Sequence, residues 1–188
     1  MRLFIATPLG TEIEQYLGRI IADLTESGSG VKWVHPENIH ITLRFLGETE
    51  ESRIPKITAL IDRVAASHSP VQLGLSHLGA FPNLRRPRVF WAGVAGAIDD
   101  LAKIARQLEL GARKLRFEPE KKKFRAHLTL GRVRDHRQLG DICRLCEEYQ
   151  VEPKSLLLDR IVLFKSTLTP KGPIYERLHQ VPLSDVGG

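Results

Sequence analysis

Apolar residues along the chain follow two periods. Ile13, Leu17, Ile20, Ile21 and Leu24 recur at the three- and four-residue spacing of one helix face. Thr11 followed by Glu14 matches a capping box at its start, and Ser27-Gly-Ser-Gly30 ends it. Ile54, Ile57, Leu60, Ile61 and Val64 predict a second helix, capped by Ser52. Leu101, Ile104, Ala105 and Leu108 predict a third, capped by Asp99 or Asp100. Leu139, Ile142, Leu145 and Tyr149 predict a fourth, over residues 136–149.

Shorter runs read as strands: 2–8, 31–34, 38–46, 71–78, 88–94, 124–133, 156–164 and 174–181. His35-Pro36 separates the second from the third. Pro82, Asn83 and Pro87 mark a loop, and Pro170-Lys-Gly-Pro173 a turn. Several strand pairs have no helix between them. That pattern predicts an α+β fold with mixed or mostly antiparallel sheets, not a doubly wound parallel sheet. No stretch rich in Gly, Ser or Pro divides the chain, so residues 1–188 are expected to form one domain.

Two of the strands carry the same polar pattern. His40-Ile41-Thr42-Leu43 and His127-Leu128-Thr129-Leu130 both read His-x-Thr-x with apolar x. Alternate side chains of a strand point to opposite faces. Ile39, Ile41, Leu43 and Phe45 are therefore expected on one face, with His40 and Thr42 on the other. Ala126, Leu128 and Leu130 likewise oppose His127 and Thr129. Each strand buries one face and presents an imidazole and a hydroxyl, roughly 6.5 Å apart, on the other.

An imidazole donates or accepts a proton near neutral pH. Two opposed imidazoles do both jobs in one displacement at phosphorus. One deprotonates an attacking water and the other protonates the leaving alcohol, from opposite sides. The threonines are uncharged donors for phosphoryl oxygens. A single His-x-Thr is more often a packed or surface feature; two copies with the same strand parity, in the two halves of the chain, point to two similar lobes facing across a cleft.

Composition changes this picture little. Of 188 residues 42% are hydrophobic and 27% charged, as in an ordinary globular protein. The net charge of +6 suits polyanionic partners, nucleic acid foremost, and also serves solubility. The two cysteines, Cys143 and Cys146, fall inside a helical pattern with no second pair, so packed thiols are favoured over a zinc or redox site. No His-x-His or HExxH motif occurs, nor Gly-x-Ser-x-Gly. No run is apolar enough for a targeting segment or a membrane span. A cytoplasmic monomer without metal or cofactor is the expectation.

Five segments carry a resemblance that covers nearly the whole chain. They are Met1-Arg-Leu-Phe-Ile-Ala6, His40-Ile-Thr-Leu-Arg-Phe-Leu-Gly47, Phe81-Pro-Asn-Leu-Arg-Arg-Pro-Arg-Val-Phe-Trp-Ala-Gly93, His127-Leu-Thr-Leu-Gly-Arg132 and Leu163-Phe-Lys-Ser-Thr-Leu-Thr-Pro-Lys-Gly-Pro-Ile-Tyr-Glu176. In this order they resemble the 2H phosphoesterase superfamily, most closely the RNA 2′,3′-cyclic phosphodiesterases of LigT or ThpR type, historically called 2′-5′ RNA ligases. The resemblance implies a bilobal fold, with pseudo-twofold-related lobes around a central cleft and helices outside. It implies metal-independent opening of a terminal 2′,3′-cyclic phosphate to a 2′-phosphomonoester. It makes His40 the proton donor and His127 the proton acceptor, an order that the residues alone leave open. Thr42 and Thr129 would stabilise the phosphorane. Arg132 would bind substrate, although a straight strand would aim it away from His127 unless Gly131 allows a bulge. Reversible 2′-5′ ligation of tRNA halves, hydrolysis of small cyclic nucleotides, and RNA-end binding without turnover are the alternatives.

The basic groups Lys121–Lys123 with Arg125, and Arg85, Arg86 and Arg88, either contact RNA phosphates or form a solvated face. Trp33, Phe4 and Trp91 either stack a base or, as is commoner, pack in the core. His35, His68, His77, His136 and His179 lack a threonine in register and are given no chemistry.

Overall fold

The computed structural model describes residues 1–170 and 172–184. Lys171 of the expected turn lies outside the described residues. The order is β1 (Arg2–Pro8), α1 (Thr11–Glu26), β2 (Val31–Trp33), β3 (His40–Glu48), α2 (Ile54–Ala65), β4 (Val71–Phe81), β5 (Val89–Gly96), α3 (Ile98–Lys114), β6 (His127–Val133), α4 (Ile142–Glu148), β7 (Ser155–Leu158), β8 (Arg160–Thr169) and β9 (Gly172–Pro182).

The strands form two sheets, ordered β3-β1-β8-β9 and β2-β6-β5-β4-β7. Every pairing is antiparallel. The α+β class and the two-lobed layout are as the sequence implied. The run β1-α1-β3-α2-β4 is echoed by β5-α3-β6-α4-β8. The last strand of each run crosses over: β4 lies beside β5, and β8 returns beside β1. Each half thus completes the other half's sheet.

One hydrophobic cluster joins the helices to the inner faces of both sheets, with Leu3, Ile5, Leu17, Ile61, Phe90, Leu108 and Leu128 at its centre. Helix α1 contributes Ile13, Leu17, Ile20, Ile21 and Leu24, the residues its periodicity selected. A second, smaller cluster of Phe4, Ala6, Val162 and Phe164 lies on the opposite face of the four-stranded sheet.

Five local expectations are corrected. Thr11 does not cap α1; Gly10 occupies the cap without a side-chain bond, and its carbonyl accepts from Ile13 and Glu14. Ser52 and Asp99 or Asp100 likewise do not cap α2 and α3, whose cap residues are Arg53 and Ala97. Pro55, in the first turn, starts α2, since its missing N–H has no helical partner there. The fourth helix is a 3-10 turn, His136–Gln138, followed by the short α4. Gly140 between them has φ of +53°, and that left-handed residue breaks the helix. The run 156–164 is two strands, split at Asp159 and placed in different sheets.

Candidate active site at the β3–β6 junction

Strands β3 and β6 approach each other where the two lobes meet. In β3, Ile41 and Leu43 are buried while His40 and Thr42 are half-buried. In β6, Leu128 and Leu130 are buried while His127 and Thr129 are half-buried. The expected alternation thus sets both imidazoles and both hydroxyls on the cleft side.

The two strands are also distorted alike. His40 and Thr42 stand opposite Pro8 and Ala6 of β1, and the register then slips by one residue before Arg44 meets Ile5. His127 and Thr129 stand opposite Gly93 and Trp91 of β5, and the register slips again before Gly131 meets Phe90. Each motif therefore ends in a β-bulge, at Leu43 and at Leu130. A bulge adds one residue and reverses the parity of everything beyond it.

Phe45 is consequently not on the face of Ile39, Ile41 and Leu43. It is 50% exposed and its ring lies 6.0 Å from that of Phe4, on the cleft side. Arg132 undergoes the same reversal. It shares the face of His127, whose charged form it disfavours electrostatically, and it also acts on Tyr175 across the junction.

The imidazoles are held identically. His40 Nδ1 lies 2.7 Å from the carbonyl oxygen of Asn38, and His127 Nδ1 lies 2.8 Å from that of Arg125. A carbonyl only accepts, so Nδ1 carries the hydrogen in each ring and Nε2 is left to the cleft. Burial pushes His40 down to about 4; its Asn38 bond opposes this and the charge of His127 adds to it. Burial also lowers His127, against its Arg125 bond and with the help of Arg132. The hydroxyls of Thr42 and Thr129 make no hydrogen bond to the described residues.

Aromatic rings fix the walls. Phe4 stacks on His40 at 4.9 Å and on Phe164 at 5.2 Å. Tyr175 meets the His40 ring edge-on at 5.5 Å. In the other lobe Phe81 meets His127 edge-on at 5.1 Å, and Trp91 leans on Phe81 at 5.2 Å. Trp91 lies flat over Gly79, whose missing side chain makes the room. Phe4 thus contacts the His40 ring directly, whereas Trp91 reaches the His127 wall through Phe81. Trp33 faces the core side, 5.9 Å from Phe90 and packed over Gly131.

Three neighbours had no role in the sequence reading. Tyr175 belongs to a segment marked by resemblance, but nothing local tied it to His40. His77 lies next to Trp91, at 5.2 Å, and beside Gly93, the partner of His127. Arg44, only 4% exposed, joins Glu109 of α3 at 2.6 Å and Glu120 at 2.9 Å, and also bonds the carbonyls of Phe45 and Glu118. It anchors the segment that leads through Lys121–Lys123 to β6. Among the described residues, no three His, Cys, Asp or Glu side chains converge to hold a metal ion. Cys143 and Cys146 are free thiols on α4, the latter buried. No helix among the described residues is long and apolar enough to cross a membrane.

Comparison with known proteins agrees with the fold. The family model described as LigT-like phosphoesterase matches residues 8–91 and 93–175. An RNA 2′,3′-cyclic phosphodiesterase of Thermotoga maritima is 36% identical over 96% of this chain and 94% of its own. A protein of the same name from Archaeoglobus fulgidus is 39% identical, over 95% and 98%. Among solved structures, TT0787 of Thermus thermophilus superposes with a TM-score of 0.82 at 30% identity, covering 97% of this chain and 98% of that one.

Proposed function

The chain belongs to the LigT-like phosphoesterase family, and from that premise we propose that it opens the 2′,3′-cyclic phosphate at an RNA end, leaving the phosphate on O2′. The observation that carries this reading is the matched pair of imidazoles. Both have Nδ1 tied to a backbone carbonyl two residues upstream, which leaves Nε2 of each ring available to a substrate.

His127 Nε2 accepts a proton from the attacking water while His40 Nε2–H protonates the departing O3′. The bond from phosphorus to the water oxygen forms and the bond to O3′ breaks. Burial has made the His40 imidazolium a strong acid, and the anionic phosphodiester restores its proton on binding. His127, its basicity also lowered by burial, is neutral at the start of the reaction. Thr42 and Thr129 donate to the phosphoryl oxygens, and Arg132 binds the substrate from the same face. No step calls for a metal.

The exchange of β4 and β8 between the halves supports reading residues 1–188 as one working unit. The test is direct: an oligonucleotide ending in a 2′,3′-cyclic phosphate is incubated with the chelator-treated protein. Conversion to a 2′-phosphate supports the reading. Binding without turnover, or ligation of two ends as the main reaction, replaces it.

A further inference from the structure

The edge of the five-stranded sheet holds an electrostatic conflict. Lys32 of β2 stands directly opposite Arg132 of β6. Residues directly opposite in an antiparallel ladder project from the same face, with Cβ atoms about 5 Å apart. Like charges so placed repel, and a sheet edge has many residue types to choose from. Neither side chain makes an ion pair or hydrogen bond to a described residue. Arg86 and Arg88 likewise have no carboxylate partner among the described residues, so what sets Lys32 and Arg132 apart is their direct cross-strand register. Two adjacent cations without a carboxylate are arranged for an anion that is not part of the chain.

The position says which anion. The bulge at Leu130 turns Arg132 to the face of Thr129 and His127, and Lys32 goes with it. Thr129 faces Trp91, whereas Arg132 faces Val89. Two residues of β5 separate those rows, a displacement of about 7 Å along the strand. That is the scale of one nucleotide step in an extended single strand. Lys32 lies one strand farther out than Arg132, at the open edge.

We propose that Lys32, alongside Arg132, forms a second anion site that holds the phosphodiester immediately preceding the terminal nucleotide of an RNA substrate. The proposal rests on the cyclic-phosphodiesterase reading and extends it. The protein would favour an oligonucleotide end over a free cyclic nucleotide, because only the oligonucleotide has a phosphate to place there. Lys32 contributes charge without base readout, so the preference is for chain length rather than sequence.

The experiment compares wild type with Lys32→Ala and Lys32→Arg. Substrates are a dinucleotide ending in a 2′,3′-cyclic phosphate and a 2′,3′-cyclic mononucleotide. For Lys32→Ala the dinucleotide-to-mononucleotide ratio of kcat/KM should fall roughly tenfold, through KM, the effect of losing one charge-assisted contact. The slope of log KM against log salt for the dinucleotide should shrink by about 0.7. Lys32→Arg should restore both. In phosphate-free buffer Lys32→Ala should unfold no earlier than wild type, since a repulsion has been removed. An unchanged ratio, or equal losses on both substrates with a lower melting temperature, overturns the second site. Wild-type protein inert toward both substrates overturns the cyclic-phosphodiesterase reading itself.

Discussion

His40 and His127, from opposite halves of the chain, each place Nδ1 against the carbonyl oxygen of the residue two positions upstream, at 2.7 and 2.8 Å. The bond does two things. It fixes the tautomer, so that Nε2 of the neutral ring is a base and Nε2–H of the charged ring an acid. It also fixes the ring plane without a carboxylate, so the site gains no negative charge that would repel a phosphodiester.

Removing either ring should remove most of the turnover. His40→Ala and His127→Ala are each expected to lower the hydrolysis rate by about 10²–10⁴-fold. Both rings are half-buried at the junction, outside the main cluster, so circular dichroism should show retained folds.

The depressed basicities predict a pH dependence. The kcat/KM profile should be a bell, with both limbs below the ordinary imidazole value of 6.5. By NMR, His40 Cε1–H should titrate near 4 and move upward when inorganic phosphate is added. Stability follows with a definite sign. The unfolded imidazole takes up its proton below about 6.5 while the folded one resists to about 4, so stability falls as pH drops through that window. His40→Gln should flatten that part of the curve.

Arg44 is a stability prediction. Its guanidinium is buried against Glu109 and Glu120. Arg44→Ala removes the buried cation that Glu109 and Glu120 share and should cost about 3 kcal/mol in urea unfolding. Glu109→Gln should cost less, since that carboxylate is shared with Arg113.

Gly131 is a geometric prediction. A Cβ there would sit 2.6 Å from the Trp33 ring and 2.7 Å from Val31. Gly131→Ala should destabilise by about 1–3 kcal/mol and quench or shift Trp33 fluorescence, because β2 must move away from β6.

Much of this is legible in the chain. Period-2 alternation around His40 and His127 identifies the motif strands and the faces of their imidazoles and threonines. Helical spacing selects the buried residues of α1, α2 and α3. Beyond Leu43 and Leu130 the reading fails, because a bulge leaves no mark in the polarity of residues. Alternation puts Phe45 on the wrong face, and Arg132 turns on whether a bulge exists. The split of 156–164 at Asp159 depends on two sheets competing for one continuous apolar run, which periodicity cannot weigh. The pairing of Lys32 with Arg132 joins segments far apart in sequence, and no local pattern announces it. Glycine is a partial signal: Gly140, in a left-handed conformation, ends a helix that the apolar spacing alone would continue.

The most direct measurement follows the phosphorus nucleus itself. Chelator-treated protein is mixed with an oligonucleotide ending in a 2′,3′-cyclic phosphate, and the product is read by phosphorus NMR. Two imidazoles acting from opposite sides predict a single 2′-phosphomonoester, formed by wild type and nearly absent with His40→Ala or His127→Ala. A 3′-phosphate product, activity restored only by a divalent metal, or near-normal turnover in either variant would contradict the account.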